Sequence, residues 1–469
     1  MNLDYDVIVI GGGPAGMVAS KLAVGLGKKT LLVEKRAIGG DCTWFGCIPS
    51  KALLKTSKNL YTAKNLDQFG INVKNFEYNT KNVMQEVRET VASIYKTETP
   101  EEFEKSGVNV KVGECKFINK NQVQVDDKIY TAKKFILATG SNATIVKIKG
   151  IENVNYLTNE TLFNLEKIPT SLLILGSGAI GIEMASAFNR LGSNVSVILR
   201  GNRILKNDDE ELTNLLLEHL KQEGINFIEN SSPIKFENNK LHYLQNNKKL
   251  IIDFEEVLIA TGRTPSLKNL NLENANIEYD FKAVKTNKNL QTTNPNVYAC
   301  GDITGKFGFT HIAEYEAITA VSNAILPFNK KVNYSHIGWA TFTDPQLASI
   351  GFTEIEAKKK YKNIQVYTHE FKSLDRGYTD QLKIGKAKFI CNKKGYLIGA
   401  HILGENASEL INEVQVVKTL NIPFYKIAQI IYIYPTLSDV IRQAAKKSYV
   451  YKIQNNPFIK IAKLLMGKK

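Results

Sequence analysis

The strongest constraint on the fold is a short pattern that occurs twice. Asp6–Ile10 reads DVIVI, a β-branched run that suits a buried strand. It enters Gly11-Gly12-Gly13-Pro14-Ala15-Gly16, then the helical pattern MVASKLAVGLG, then a second strand, KTLLVEK, that carries Glu34. Strand, G-x-G-x-x-G, helix, strand and acid make the dinucleotide-binding fingerprint. Gly11 permits the tight turn, Gly13 lets a pyrophosphate approach the backbone, and Gly16 lets the helix pack close. The positive helix N-terminus then faces the phosphates. Glu34 suits a ribose hydroxyl.

The pattern returns at SLLILGSGAIGIEMASAF, with Gly176, Gly178, Ala179, Ile180 and Gly181 in the turn. The next strand, NVSVILR, has Leu199 where the first copy has its acid, and Arg200 and Arg203 follow. An acid there favours NAD and repels a 2′-phosphate, whereas arginines favour NADP. The chain is therefore expected to hold two nucleotides, one FAD-like and one NADPH-like, with NADH the lesser alternative. Two matched turns, Ala138-Thr139-Gly140-Ser141 and Ala260-Thr261-Gly262-Arg263, each close a strand. The strand NVYAC opens into Gly301-Asp302, where a carboxylate suits a sugar or ribityl hydroxyl.

A chain of 469 residues suggests about three domains. Hydrophobic content of 43% and charged content of 23% are ordinary for a globular protein. The N-terminus lacks the pattern of a secretory signal, and no uncharged run reaches the ~18 residues of a membrane span, so a cytoplasmic location is expected. The net charge of +15 comes from lysines spread along the chain, and no basic run with interleaved aromatics points to nucleic acid. Five cysteines do not make a disulfide scaffold. Two of them, Cys42 and Cys47 in GGDCTWFGCIPSKAL, stand five positions apart. As residues alone they leave a structural staple, a metal clip and a redox reagent open.

Two dinucleotide folds, a C-x4-C-x-P-x-K segment and an A-C-G-D turn resemble the class I pyridine nucleotide–disulfide oxidoreductases, among them glutathione reductase, dihydrolipoamide dehydrogenase and mercuric reductase. The resemblance runs from about residue 3 to about residue 445. It implies an α/β fold with two Rossmann-like domains and a C-terminal α+β dimerisation domain. The expected boundaries are 1–150 with 280–335 for FAD, 151–279 for NAD(P)H, 336–446 for dimerisation and 447–469 for a tail. It implies that Cys42 and Cys47 form the redox-active disulfide, with Cys47 facing the flavin and Cys42 meeting the acceptor. Lys51 would lie by the flavin edge, paired with Glu183. A homodimer follows, because each active site of the family borrows residues from its partner. No metal ligands are expected: no second Cys/His pair stands at zinc spacing.

The chain departs from the family at IYIYPTLSD, where Tyr434 occupies the place of the histidine before proline. Histidine takes and returns a proton near neutrality, while tyrosine has an ordinary pKa of about 10. Chemistry with less need of acid catalysis is then favoured, and reduction of a soft metal ion is such chemistry. Ser373-Leu374-Asp375-Arg376 also resembles the mercuric reductase branch, yet no cysteine follows Cys391, so mercury itself is not assigned. The acceptor is expected to be a small disulfide or a soft metal. The alternatives are a dihydrolipoamide dehydrogenase or glutathione reductase that tolerates Tyr434, and a non-enzymatic redox sensor. Cys115, Cys300 and Cys391 read as packing residues. In the tail, Phe458, Ile461 and Leu465 share a helical face with Lys460, Lys463, Lys468 and Lys469 nearby, the pattern of a helix lying on an anionic membrane.

Overall fold

A computed structural model describes residues 3–73 and 77–465, which form two compact units. The first comprises Met1–Gly176, Arg190–Asn194 and Pro233–Asn333; the second comprises Ser177–Asn189, Val195–Ser232 and Tyr334–Lys469. Lys468 and Lys469 of the expected basic tail lie outside the described residues, as do the side chains of Lys463 and Leu465.

The first unit is organised by a parallel sheet. Strand β1 (Tyr5–Ile10) pairs with β2 (Thr30–Glu34), which pairs with β3 (Asn109–Val112). On its other side β1 pairs with β4 (Lys128–Leu137) in the register Ile10↔Leu137. Ile8 and Val9 are fully buried, as a strand covered on both faces requires. Helix α1 (Pro14–Gly25) presents Ala15, Ala19 and Ala23 at i, i+4 spacing to the core that also holds Ala313, Ala317 and Ala320. Those alanines belong to α2 (Thr310–Ile325), and small side chains on both helices permit close packing. The same unit holds β5 (Ser171–Leu175) and β6 (Glu256–Ile259), again parallel. A last strand, β7 (Val297–Ala299), pairs with β4 and ends before Gly301. Thus β1, β4, β5, β6 and β7 all deliver their C-terminal ends to the glycine turns found in the sequence. Ligands bind at that end of open parallel sheets.

In the second unit, β8 (Asn194–Ile198) pairs in parallel with the strand Asn226–Ile228. Helix α3 (Glu210–Gln222) lies between them in the chain. A five-stranded antiparallel sheet follows, in the order Gly338–Thr341, Gln346–Gly351, Leu397–Gly404, Lys386–Asn392, Ile364–Glu370. Its central strand, Leu397–Gly404, is buried along its whole length. Helices α4 (Ala407–Thr419) and α5 (Asp439–Gln454) close its core through Ile411, Val414, Ile441 and Ala445. Helix α6 (Pro457–Leu465) ends the described chain. Among the described residues no helix is long and apolar enough to cross a membrane.

Candidate active site

The first glycine turn is built to admit a phosphate. Gly11 has φ +105°, and a Cβ there would lie 2.4 Å from the Ala138 carbonyl oxygen. At Gly16 a Cβ would lie 1.7 Å from the oxygen of Gly11. Helix α1 starts from Gly13 with Pro14 in its first turn and no side-chain cap, leaving its positive end for an anion. The buried Glu34 carboxylate is already oriented: it accepts the Gly12 N–H at 2.6 Å and the Arg36 N–H at 2.9 Å. Gly176 repeats the device, with φ +131° and a would-be Cβ 2.1 Å from the Ala260 oxygen. These features fit a dinucleotide pyrophosphate.

The two Ala-Thr-Gly turns are joined directly. Ser141–Ala143 pairs antiparallel with Arg263–Pro265. The Thr139 hydroxyl donates to Ser266 O at 3.0 Å, and the Thr261 hydroxyl donates to Thr144 O at 2.9 Å. Asp302 accepts the Ser141 hydroxyl at 2.5 Å, and the Gly301 N–H is held by Glu316 at 2.8 Å. Arg263 donates to the Ser141 hydroxyl and carbonyl, both at 2.7 Å, and forms an ion pair with Asp41. Burial nevertheless pushes the Asp41 carboxyl above its usual range, against the pull of Arg263. Sequence reading placed Ser141 and Arg263 in the matched turns without their partners and did not single out Asp41. The only signal was position, since Asp41 precedes the first cysteine of the pair and Arg263 ends the second Ala-Thr-Gly turn.

Cys42 and Cys47 stand at a helix junction. The helix Gly40–Phe45 carries Cys42, Gly46 makes the turn, and Cys47 opens the 18-residue helix Cys47–Lys64. A Cβ on Gly46 would lie 2.7 Å from Asp41 O, so the turn needs glycine. Both cysteines are thiols, Cys42 half-buried and Cys47 exposed. The Cys42 thiol is pushed well up, first by its hydrogen bond with Cys47 and then by burial; the Thr310 hydroxyl acts in the opposite sense. Thr310 Oγ1 lies 3.5 Å from Cys47 Sγ. Since Thr310 is the first residue of α2, two helix N-termini without side-chain caps meet at this sulfur, where a thiolate is stabilised. Thr310 too was missed in the sequence, because it lies 263 positions from Cys47.

Around the pair, Trp44 donates from Nε1 to Ile38 O at 2.9 Å and packs on Tyr95 at 4.6 Å between centroids. Lys51 Nζ lies 3.3 Å from the Ser50 hydroxyl. The other cysteines sit apart. Burial pushes Cys115 up to about 12 and raises Cys300 and Cys391 further, which suits inert packing residues.

In the second unit, buried Glu183 accepts the Phe342 N–H at 2.9 Å. Arg200 is exposed just past β8. Arg203 is engaged: it pairs with Glu210 at 3.4 Å and donates to Asp208 O at 3.2 Å. Tyr434 is 68% exposed, and its hydroxyl donates to Asp375 at 3.0 Å, a bond that pushes the phenol above its usual range. Asp439, five residues on, takes Arg442 at 2.6 Å and Gln443 at 2.7 Å. Burial works against its charge, but those bonds hold it below the usual range. The Asp439 carboxylate is thus engaged by partners on its own helix.

Residues 5–317 match the family model described as pyridine nucleotide-disulphide oxidoreductase, and residues 337–445 match that family's dimerisation domain. A mercuric reductase of Bacillus cereus is 34% identical over 87% of this chain, which spans 66% of that relative's length. A dihydrolipoyl dehydrogenase of Chlamydia trachomatis is 30% identical over 95% of this chain and 97% of its own. Among solved structures, the HOCl-induced flavoprotein disulfide reductase RclA of Escherichia coli superposes with a TM-score of 0.85. It is 25% identical and covers 94% of this chain and 99% of its own, and a Cu(II) complex of it has also been solved.

Proposed function

The chain belongs to the pyridine nucleotide–disulphide oxidoreductase family, enzymes that use FAD and a pyridine nucleotide, and from that premise we propose that it is an NADPH-driven reductase of a soft metal ion or a small disulfide. A bound FAD would supply the means to accept a hydride from a reduced nicotinamide and pass two electrons to the protein. Gly11, Gly13, Pro14, Ala15 and Gly16 shape the turn for its pyrophosphate, with Thr139 and Gly140 beside them; Glu34, Gly301 and Asp302 hold its sugars. Gly176, Gly178, Ala179, Ile180 and Gly181 with Gly262 shape the nicotinamide-nucleotide turn. Exposed Arg200 receives a 2′-phosphate, while Arg203 braces the same loop. Lys51 and Glu183 order the flavin edge. The FAD part is assigned to 1–150 with 280–335, the nucleotide part to 151–279, and the dimerisation part to 336–446.

The Cys42–Cys47 disulfide gains two electrons and two protons to become the dithiol. Cys47, stabilised beside Thr310, is the cofactor-side sulfur; Cys42 is the exchanging one. With a disulfide acceptor, Cys42 sulfur attacks one acceptor sulfur and expels the other as a thiol. Cys47 then attacks Cys42, releases the second thiol and restores the protein disulfide. With a soft metal ion, the dithiol releases its two protons as both sulfurs bind the metal, two electrons pass to the metal, and the pair returns to the disulfide, with no leaving thiol to protonate.

The observation that carries the preference for a metal is the Tyr434–Asp375 bond. A phenol committed to a carboxylate and raised by it holds its proton, and so serves poorly as the relay that disulfide exchange needs. The mercuric reductase relatives and the copper complex of RclA point the same way. A second reading, dihydrolipoamide dehydrogenase, is favoured by relatives of that name that match nearly the whole chain. Anaerobic titration with NADPH and then NADH, followed by acceptor screening with Hg(II), Cu(II), glutathione disulfide and dihydrolipoamide, tests all of this. A long-wavelength charge-transfer band after two electrons, tighter use of NADPH and turnover of a metal ion are expected. Fast NAD-linked dihydrolipoamide turnover would replace this reading with the second.

A further inference from the structure

The loop 199–209 returns to the second glycine turn and is then tied into the antiparallel sheet. Leu205 donates its N–H to Ser177 O, inside the fingerprint, at 2.9 Å. Its φ of +46° is left-handed, a conformation that a bulky residue holds only when neighbours enforce it. The Asp208 N–H is bonded to Leu205 O at 2.9 Å, and the Asp208 carbonyl accepts Arg203. Asp208 is buried, and its Oδ1 is 2.8 Å from Trp339 Nε1 and 2.7 Å from the Ser349 hydroxyl. The same hydroxyl is 3.0 Å from Nδ1 of the fully buried His401, whose Nε2 is 3.0 Å from Phe352 O.

Counting hydrogens along this chain gives one more proton than a neutral imidazole and a carboxylate supply. A carbonyl oxygen only accepts, so Nε2 must carry a hydrogen. Ser349 has one hydrogen and faces two acceptors if Nδ1 is bare and Asp208 is ionised. Both contacts are at hydrogen-bond distance, so a further proton is held either on His401 or on Asp208. We infer that His401 and Asp208 share one proton through Ser349 and so act as positioning residues for the loop that carries Arg200 and Arg203. The inference rests on the reading that this loop meets the pyridine nucleotide.

The surroundings favour keeping that proton. Asp209 stands at the N-terminus of α3 but makes no cap; its carboxylate instead takes Lys388 Nζ at 2.8 Å. Lys388 also meets Glu211 at 2.7 Å and Glu354 at 3.1 Å, while Lys386 pairs with Glu211 and Lys358 with Glu354. Asp209, Glu211 and Glu354 therefore face Lys388, Lys386 and Lys358, while Asp208 has the Asp209 carboxylate as its charged neighbour. Burial pushes Asp208 up and His401 down, so within the pair the neutral arrangement, a carboxylic acid and a neutral imidazole, is preferred. A group raised in the folded state contributes stability at low pH that is lost as pH rises through its folded pKa. Loss of this proton leaves an acceptor facing an acceptor at one of the two contacts, so the anchor of the loop loses one link while Trp339 still holds Asp208.

The test is binding of NADP+ and, separately, NAD+ to the oxidised holoenzyme between about pH 4.5 and pH 9, from just above the ordinary carboxylate range upward, with thermal melting over the same range, for the wild type, Asp208→Asn and Ser349→Ala. An amide at 208 keeps an acceptor oxygen for Trp339 and the Ser349 hydroxyl and does not titrate. In the wild type, affinity is expected to fall with rising pH by about threefold to tenfold more than in Asp208→Asn, a comparison in which the ligand's own phosphate titration cancels. The pH slope of melting should shrink in both variants. A wild-type slope retained by Asp208→Asn overturns the inference, as does a wild type with a flat profile or a melting slope that changes with no change in nucleotide affinity. Tighter binding of NAD+ at every pH would instead overturn only the choice of NADPH, and the NAD+ slopes would then decide the inference.

Discussion

At the residue scale the site divides its sulfur chemistry between unlike surroundings. Cys47 opens one helix and touches the first residue of another, whereas Cys42 is half-buried and its thiol is raised. Cys42→Ser should therefore lower turnover of a metal or disulfide acceptor by about a hundredfold or more while leaving reduction of bound FAD by NADPH intact. Stopped-flow absorbance with and without acceptor separates the two, and full turnover in that variant would mean that the acceptor takes electrons without the pair. Thr310→Val should remove a hydrogen bond to the thiolate, worth about 1.5–3 kcal/mol for a charged acceptor, and move the pH midpoint of the charge-transfer band upward by about one unit or more. An unmoved midpoint would make the Thr310 contact incidental. The residue scale is also where sequence reading ended. The glycine turns were legible as turns because they depend on local spacing, whereas the spacing of Cys42 and Cys47 left a staple, a metal clip and a reagent open until the family resemblance was added. Thr310, and the Asp41–Arg263–Ser141–Asp302 chain, depend on side chains that meet across more than a hundred positions, which no spacing encodes.

At the scale of elements, the strand ends carry the design. Gly11 and Gly176 each press against the alanine that ends a neighbouring strand, and the two Ala-Thr-Gly turns form a ladder with one another. Their recurrence was readable as a repeat; their direct pairing was not, because it joins residues about 120 positions apart. Helix α6 raises a different question. It exposes Phe458, 82% accessible, and Ile461, with Lys460 close by in the sequence. Two exposed apolar side chains beside Lys460, on a chain of net charge +15, suit an anionic bilayer surface. Deletion of 457–469 is expected to abolish co-sedimentation with vesicles containing phosphatidylglycerol while leaving FAD content unchanged. Equal sedimentation with purely zwitterionic vesicles, or no loss on deletion, would assign the helix to protein packing instead.

At the scale of the whole molecule, the match of 337–445 to a dimerisation domain supports a homodimer, and the surface beside Tyr434 fits that role. Ile431 is 96% exposed and Ile433 is 83% exposed, flanking the segment that departs from the family at Tyr434. Large aliphatic side chains so exposed cost about 1.5–3 kcal/mol each relative to burial. In a two-fold dimer each substitution acts twice, so Ile431→Asp with Ile433→Asp places four carboxylates at the interface. Light scattering should then show monomers at concentrations where the wild type is a dimer. Reduction of bound FAD by NADPH should survive, because both nucleotide turns lie outside 337–445, while acceptor turnover should fail if Tyr434 acts on the partner's cysteines. Tyr434→His gives the complementary reading on an intact dimer. An imidazole restores a group that titrates near neutrality, so disulfide reduction should rise by about tenfold or more, with metal reduction little changed. A monomer with full acceptor turnover, together with no gain from Tyr434→His, would show that each chain works alone and that the proton for the leaving thiol comes from elsewhere.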